Sequence, residues 1–263
     1  MKSIILFVIC FLSSSVGSVV GAGGGVIIKP VLDITGLLPV AAASFGSGCT
    51  VLAMAVSSLI RGRRDGVRLQ LKTSTPLALG AVAGGLLGKG LFDAAGTYFE
   101  EQSSLGALQS GCLTVVMAAV FFYLKYKDRI RGKQVEQPLA AVAIGVALGV
   151  ISSFLGIGGG PFNVAVLFFF FAMDAKEAAK NSLYVILFSQ TASLLLTLLR
   201  GSVPEMEPVW LLCMMAGGVG GALTGAFISK RIDNRGVERI LLFVTLLIVC
   251  ISFMNVLKYS VLI

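Results

Sequence analysis

Two glycine runs, Gly21-Ala22-Gly23-Gly24-Gly25 and Gly156-Ile157-Gly158-Gly159-Gly160, are the places where this sequence can do chemistry. A glycine inside a helix costs about 1 kcal/mol relative to alanine, so four within five residues mark a break rather than a helix interior. Each run follows an apolar stretch and precedes a short apolar segment. Such a break frees N–H groups, and the positive end of the following helix adds to them, an arrangement suited to an anion. Gly21, Gly23, Gly24 and Gly25, with Gly156, Gly158, Gly159 and Gly160, are therefore candidate substrate-binding positions. The competing reading is a sharp turn or close helix packing, and the recurrence of the break in both halves favours a paired site.

Polar residues near the breaks extend the candidate site. Lys29 follows the first run in an apolar context with Asp33 one helical turn on, and Asn163 lies near the corresponding place after the second run. A lysine at bilayer depth costs about 2.5–3.5 kcal/mol on insertion scales, so it needs a partner or a function. A Lys29–Asp33 pair and a substrate contact both meet that need. The segments that follow carry Ser44, Ser47 and Thr50 in the first half, and Asn181, Ser182, Ser189 and Gln190 in the second. These are uncharged donors for sulfonate or carboxylate oxygens, although serine and threonine also bond to their own helix backbone.

Other chemistries are excluded by residue type. There is no histidine, which removes histidine metal ligands, a Ser-His nucleophile pair and a histidine proton relay. Cys10, Cys49, Cys112, Cys213 and Cys250 are scattered through apolar segments without a CxxC pair and read as packing residues. No GxxxxGK[ST] run for nucleotide binding is present. The expectation is a protein that is not an enzyme and needs no metal or cofactor.

The elements that position these residues must lie in a membrane. Of 263 residues 56% are hydrophobic and 13% charged, about half the charge of an ordinary soluble domain, too little to cover a globule with water-facing side chains. Apolar segments fall at Ser3–Val20, Val26–Leu38, Val40–Ile60, Pro76–Phe92 and Leu105–Tyr126, then at Leu139–Leu155, Pro161–Met173, Asn181–Leu199, Val209–Ser229 and Ile240–Leu257. The first could pass for a signal peptide, but Pro138–Leu155 repeats its character mid-chain, so it reads as structural.

The two halves repeat. Besides the glycine runs, Ala43-Ser44-Phe45 parallels Asn181-Ser182-Leu183, Arg61-Gly62 parallels Arg200-Gly201, and Gly80, Gly84 and Gly88 recur as Gly217, Gly221 and Gly225. Glycine at every fourth position makes a smooth face for close helix packing rather than a chemical site. Basic residues crowd 61–72 and 125–137, while 92–105 and 201–208 hold acids and no base and 229–239 is basic again. By the positive-inside rule, equivalent loops then fall on opposite sides. The expected fold is all-α and polytopic, with two inverted-topology repeats containing glycine-broken or re-entrant helices: 1–130, a basic cytoplasmic linker 131–137, and 138–263. The net charge of +8 belongs to this loop bias and not to nucleic-acid binding. Whether the short segments cross or fold back stays open at this stage.

A helix ending in the glycine run, duplicated, with serine-bearing helices and a GxxxGxxxG helix in each half, resembles the TauE/SafE family, the sulfite exporter or toluene-sulfonate uptake permease group. The resemblance spans nearly the whole chain and implies a transporter of sulfite, sulfoacetate or a related sulfonate in a bacterial inner membrane, with export the expected direction. By position it nominates the eight glycines, Ser44 and the Asn181-Ser182 pair. Pro161 follows the second run as the family pattern has it, whereas Val26 follows the first. Lys29, Ser47, Asn163 and Gln190 rest on physical argument alone. The implied partners are a small anion, the lipid bilayer and a coupling proton or ion. Another small anion such as a carboxylate, or a non-transporting scaffold, are the alternatives.

Overall fold

The computed structural model describes residues 1–62, 66–98, 102–130, 132–157 and 159–262. Gly158 and the loop charges Arg63, Arg64, Asp65, Glu100, Glu101 and Arg131 lie outside the described residues. The described residues form ten α-helices: α1 Lys2–Val20, α2 Gly25–Thr35, α3 Val40–Arg61, α4 Leu71–Tyr98, α5 Gln102–Tyr126, α6 Pro138–Phe154, α7 Pro161–Phe171, α8 Ala175–Leu199, α9 Pro208–Arg231 and α10 Asn234–Leu262. No strand occurs among the described residues. Among the described residues seven helices are long and apolar enough to span a bilayer: α1, α3, α4, α5, α8, α9 and α10. The protein is a polytopic helical membrane protein.

The two shortest helices fold back. Helices α2 and α7 have 11 residues each, about 16 Å of rise against roughly 30 Å of hydrocarbon. The N–H groups of Lys133 and Val135, just before α6, donate to the carbonyls of Phe169 and Phe170 at the end of α7. Thus α6 and α7 form a hairpin that returns to its starting end. In the first half, Leu6 near the start of α1 shares a buried cluster with Leu32, near the end of α2, and with Leu38. The sequence left crossing and re-entry open; the short helices are re-entrant.

Glycine sets how the helices meet. A Cβ at Gly80, Gly84 or Gly88 of α4 lands 2.1, 2.0 or 2.4 Å from the carbonyl oxygens of Val142, Val146 and Val150 on α6. Gly145 and Gly149 of α6 approach the carbonyls of Leu77 and Ala81 in return. Gly217, Gly221 and Gly225 of α9 meet the carbonyls of Phe7, Phe11 and Ser15 on α1 in the same way. Both pairs run parallel, since partner numbers rise together. Helices α3 and α8 run antiparallel instead, because Gly48 faces Gln190 while Lys180 reaches Gly62. Each half therefore lends its ladder to the other half's hairpin: α4 grips α6, and α9 grips α1.

One sequence pairing shifts. A Cβ at Gly156 meets Ser44, and a Cβ at Gly21 meets Ala179, so the partner of Ser44 is Ala179 and that of Ser182 is Ser47. A constant step of 135 positions relates Gly21 to Gly156 and also Val40 to Ala175, the first residues of α3 and α8. Arg61 and Arg200, 139 positions apart, do not share this step; the residue 135 positions after Arg61 is Leu196.

Gly84→Val should disrupt the α4–α6 seam, lowering the melting temperature in detergent by roughly 5 °C or more, because no rotamer moves a carbonyl oxygen 2.0 Å away. Gly90, whose Cβ position is open, serves as the control: Gly90→Ala should melt at or slightly above the parent temperature. Equal melting of the two variants would contradict this packing.

Candidate functional site

The two glycine breaks meet at the centre of the molecule. A Cβ on Gly25 sits 2.2 Å from the carbonyl oxygen of Ile157 and 2.7 Å from Val51, and a Cβ on Gly160 sits 3.3 Å from Val26. Ile186 of α8 reaches both breaks, lying 3.3 Å from the Cβ position of Gly23 and 2.5 Å from that of Gly159. Val51 and Ile186 are equivalents under the 135-residue step. Both are buried, so an apolar pair stands where the breaks converge.

Serines hold the first break. Ser182 donates to the Gly21 carbonyl at 2.7 Å, and Ser47 reaches the Gly25 carbonyl at a longer 3.5 Å. Gly21 has φ 70° and Gly156 φ 64°, a left-handed conformation that glycine adopts without strain. Gly24 packs on Ser14, whose hydroxyl has no partner among the described residues. At the second break, the Phe154 carbonyl at the end of α6 accepts from the Gln109 side chain at 2.7 Å. The starts of α2 and α7 carry no side-chain cap.

A cavity of about 180 Å³ runs from the acidic-loop end down to Gly156. Its wall includes Ser44 of α3, Lys89 of α4, Ser152 and Ser153 of α6, and Gln190 of α8. The hydroxyls of Ser44, Ser152 and Ser153 are buried and find no partner among the described residues. An unmet buried hydroxyl costs roughly 1–3 kcal/mol, and three on residues that line one space can serve as donors to the oxygens of an oxyanion there. Lys89 supplies the cation. Its Nζ lies 3.1 Å from Asp93, which Arg200 also contacts at 3.0 Å, so these three groups sum to one positive charge. A water's share of liquid volume is about 30 Å³, so the space suits a small anion with a few waters.

The predicted residues thus divide by position. Ser44, Gly156 and Gln190 line the cavity. Gly21, Gly23, Gly24, Gly25, Gly159, Gly160, Ser47 and Ser182 form the convergence beneath it. Asn163 stands beside Gly159, its Oδ1 without a partner among the described residues. Asn181 stands elsewhere. Its amide ties the start of α4 to α8, accepting from Gln70 N–H at 2.9 Å and Ser74 at 2.5 Å and donating to the Glu177 carbonyl at 2.7 Å. Lys29 pairs with Asp33 at 2.7 Å, and both side chains are about 97% buried. Its aliphatic end lies behind the cavity wall, with Cε 3.4 Å from the Cβ position of Gly156.

Sequence reasoning passed over Lys89, Ser152 and Ser153. A lysine near the end of an apolar segment ordinarily snorkels to water, and the two serines lie one turn before the glycine run. The available signal was their adjacency to Gly156 together with the scarcity of lysine inside apolar segments.

Breaking the buried ion pair tests its packing role. Lys29→Met removes the ammonium partner of the buried Asp33 carboxyl and should cost about 3–5 kcal/mol of stability. Lys29→Met with Asp33→Leu should recover most of that loss in thermal melts. A single variant as stable as the parent would contradict the pairing.

The model of the family described as Sulfite exporter TauE/SafE matches residues 6–253. The chain is 23% identical to the probable membrane transporter protein YunE of Bacillus subtilis (strain 168), covering 95% of this chain and 97% of that one. It is 25% identical to the probable membrane transporter protein YdhB of the same organism, covering 84% and 88%. A third relative there, the probable membrane transporter protein YjnA, is 24% identical over 88% of this chain and 91% of its own length. No solved structure matches the chain.

Proposed function

The chain belongs to the TauE/SafE family of membrane transporters, and from that premise we propose that it carries a small sulfur oxyanion, such as sulfite, sulfoacetate or a related sulfonate, across the bacterial inner membrane. The observation that carries this reading is the convergence of Lys89 and the unpartnered hydroxyls of Ser44, Ser152 and Ser153 on one small cavity beside Gly156. Tetrahedral and pyramidal oxyanions present several acceptor oxygens in different directions, which a ring of hydroxyls and one ammonium answers. Carboxylates present two, in one plane. A cavity of about 180 Å³ is below the usual 300–1,000 Å³ of drug-sized ligand sites, which favours small substrates.

The two halves, 1–130 and 138–263 joined by the basic linker 131–137, act as inverted repeats around this path. The antiparallel course of α3 and α8 supports that reading, as does the exchange of ladders between the halves. Export is the direction in the family's description. It fits electrical drive, since moving one charge through 100 mV is worth about 2.3 kcal/mol and a negative interior expels anions.

Ligand-dependent melting of the purified protein tests the substrate class. Sulfite and methanesulfonate should raise the transition, by the equivalent of about 2.7 kcal/mol at a hundred times Kd, and acetate should do so far less. Lys89→Met should weaken the sulfite effect at least tenfold, since a hydrogen bond to a charged group contributes about 1.5–3 kcal/mol. The variant should still fold, because Asp93 keeps Arg200. A Lys89→Met protein that binds sulfite as the parent does, or a parent indifferent to every sulfur oxyanion, would overturn the proposal.

A further inference from the structure

A second, smaller cavity of about 60 Å³ lies at the basic end, between α1, α3, α8 and α9. Its lining is the first cavity's lining moved to the other half. The 135-residue step takes Ser18 to Ser153, Ser58 to Ser193, Gly62 to Thr197, Val67 to Ser202 and Ala179 to Ser44, and a step of 137 takes Ala226 to Lys89. Every residue lining the small cavity except Val19 has its equivalent in the large one. Chance overlap of two unrelated crevices would not reproduce the list.

The two cavities differ in what closes them. At the small one, the hydroxyls of Ser18 and Ser58 are bonded at 2.9 Å, joining α1 to α3. Lys180 of α8 reaches across to the carbonyls of Gly62 at 2.6 Å and Val67 at 2.8 Å. At the large one, the equivalent hydroxyl of Ser153 has no partner among the described residues. Phe45 stands where Lys180 would be, so no lysine strap spans this mouth, and the contact at its rim is the partly exposed Arg200–Asp93 pair. The same scaffold is latched at one end and unlatched at the other.

We infer that the small cavity is the second mouth of the same anion path, held shut by the Ser18–Ser58 bond and the Lys180 strap, and that it opens as Ser153 and Ser193 close the first. Once released from the two carbonyls, the Lys180 ammonium becomes the cation this mouth offers to the oxyanion, in the role Lys89 has at the other end. Lys176 also lines the small cavity, and no acid occurs among its described lining residues, which suits an anion. The inference rests on the transport reading, but the latch can be tested without transport.

Cysteine pairs in a background lacking the five native cysteines provide the test. A short bis-alkylating thiol reagent, whose thioether links sulfite does not cleave, should join Ser18→Cys to Ser58→Cys rapidly in the resting protein. That link should abolish sulfite flux in liposomes while changing the sulfite-induced melting shift less than twofold. Linking Ser153→Cys to Ser193→Cys should instead raise the labelling of Ser229→Cys by a membrane-impermeant maleimide, applied at the basic end, at least fivefold. Lys180→Met should raise the same labelling by loosening the strap. Unchanged labelling of Ser229→Cys in both cases would overturn the latch whatever the transport result. Normal flux through the Ser18–Ser58 cross-linked protein would overturn the shared path. A parent protein that transports and binds no sulfur oxyanion, yet shows the labelling changes, would overturn the substrate reading alone and leave the latch in place.

Discussion

The constraint on which this molecule depends is the approach of Gly25 to the carbonyl of Ile157, where a single methyl group would sit 2.2 Å from the oxygen. Any side chain at Gly25 would push the two hairpins apart. With the glycine in place, α1–α2 and α6–α7 meet tip to tip in the centre of the helix bundle, and the space above and below the contact becomes two cavities. Irregular backbone at membrane depth is tolerated where protein surrounds it, and here each tip is enclosed by the other and by α3 and α8. Val51 and Ile186 fill what remains between the tips.

The ladders hold those tips at their depth. Glycines of α4 and α9 let helix backbones touch α6 and α1 along three successive turns, which aligns each hairpin against a long helix from the opposite half. Helix association in lipid lacks the water-driven hydrophobic term and depends on such close packing. The ladders offset the cost of the unmet hydroxyls and the buried Lys29–Asp33 pair. Near-symmetry supplies the scaffold, and departures from it supply the polarity. Ser44 against Ala179, Lys89 against Ala226 and Phe45 against Lys180 make one mouth a donor-rich pocket and the other a strapped one.

Much of this was legible in the sequence because glycine spacing and loop charge are local signals. The duplicated runs located the breaks, and the every-fourth-residue glycines gave the packing faces. The low charge gave the membrane. What sequence could not give is which helix each face meets, and the site depends on that. Ser152 and Ser153 look like ordinary small residues at a helix end, and Lys89 looks like an anchor. They become a site only because α4 packs on α6 and α8 closes the wall. Asn181 carries the same chemistry as Gln190 and lies on the same helix, yet Asn181 is occupied by the start of α4. Gln190, on the cavity side, faces open space. The register of α3 against α8 was misread because Ala43-Ser44-Phe45 and Asn181-Ser182-Leu183 look alike at a step of 138, whereas the two helices begin 135 positions apart.

The central claim is that an anion rests against Gly156, between Lys89 and the hydroxyls of Ser44, Ser152 and Ser153, in the cavity that opens at the acidic-loop end. A crystal structure with selenite, a heavier pyramidal analogue of sulfite, locates the anion directly through anomalous scattering from selenium. One strong anomalous peak within hydrogen-bonding distance of Lys89 Nζ and at least two of those hydroxyls is the predicted result. A peak elsewhere in the protein with this cavity free of selenium would contradict it.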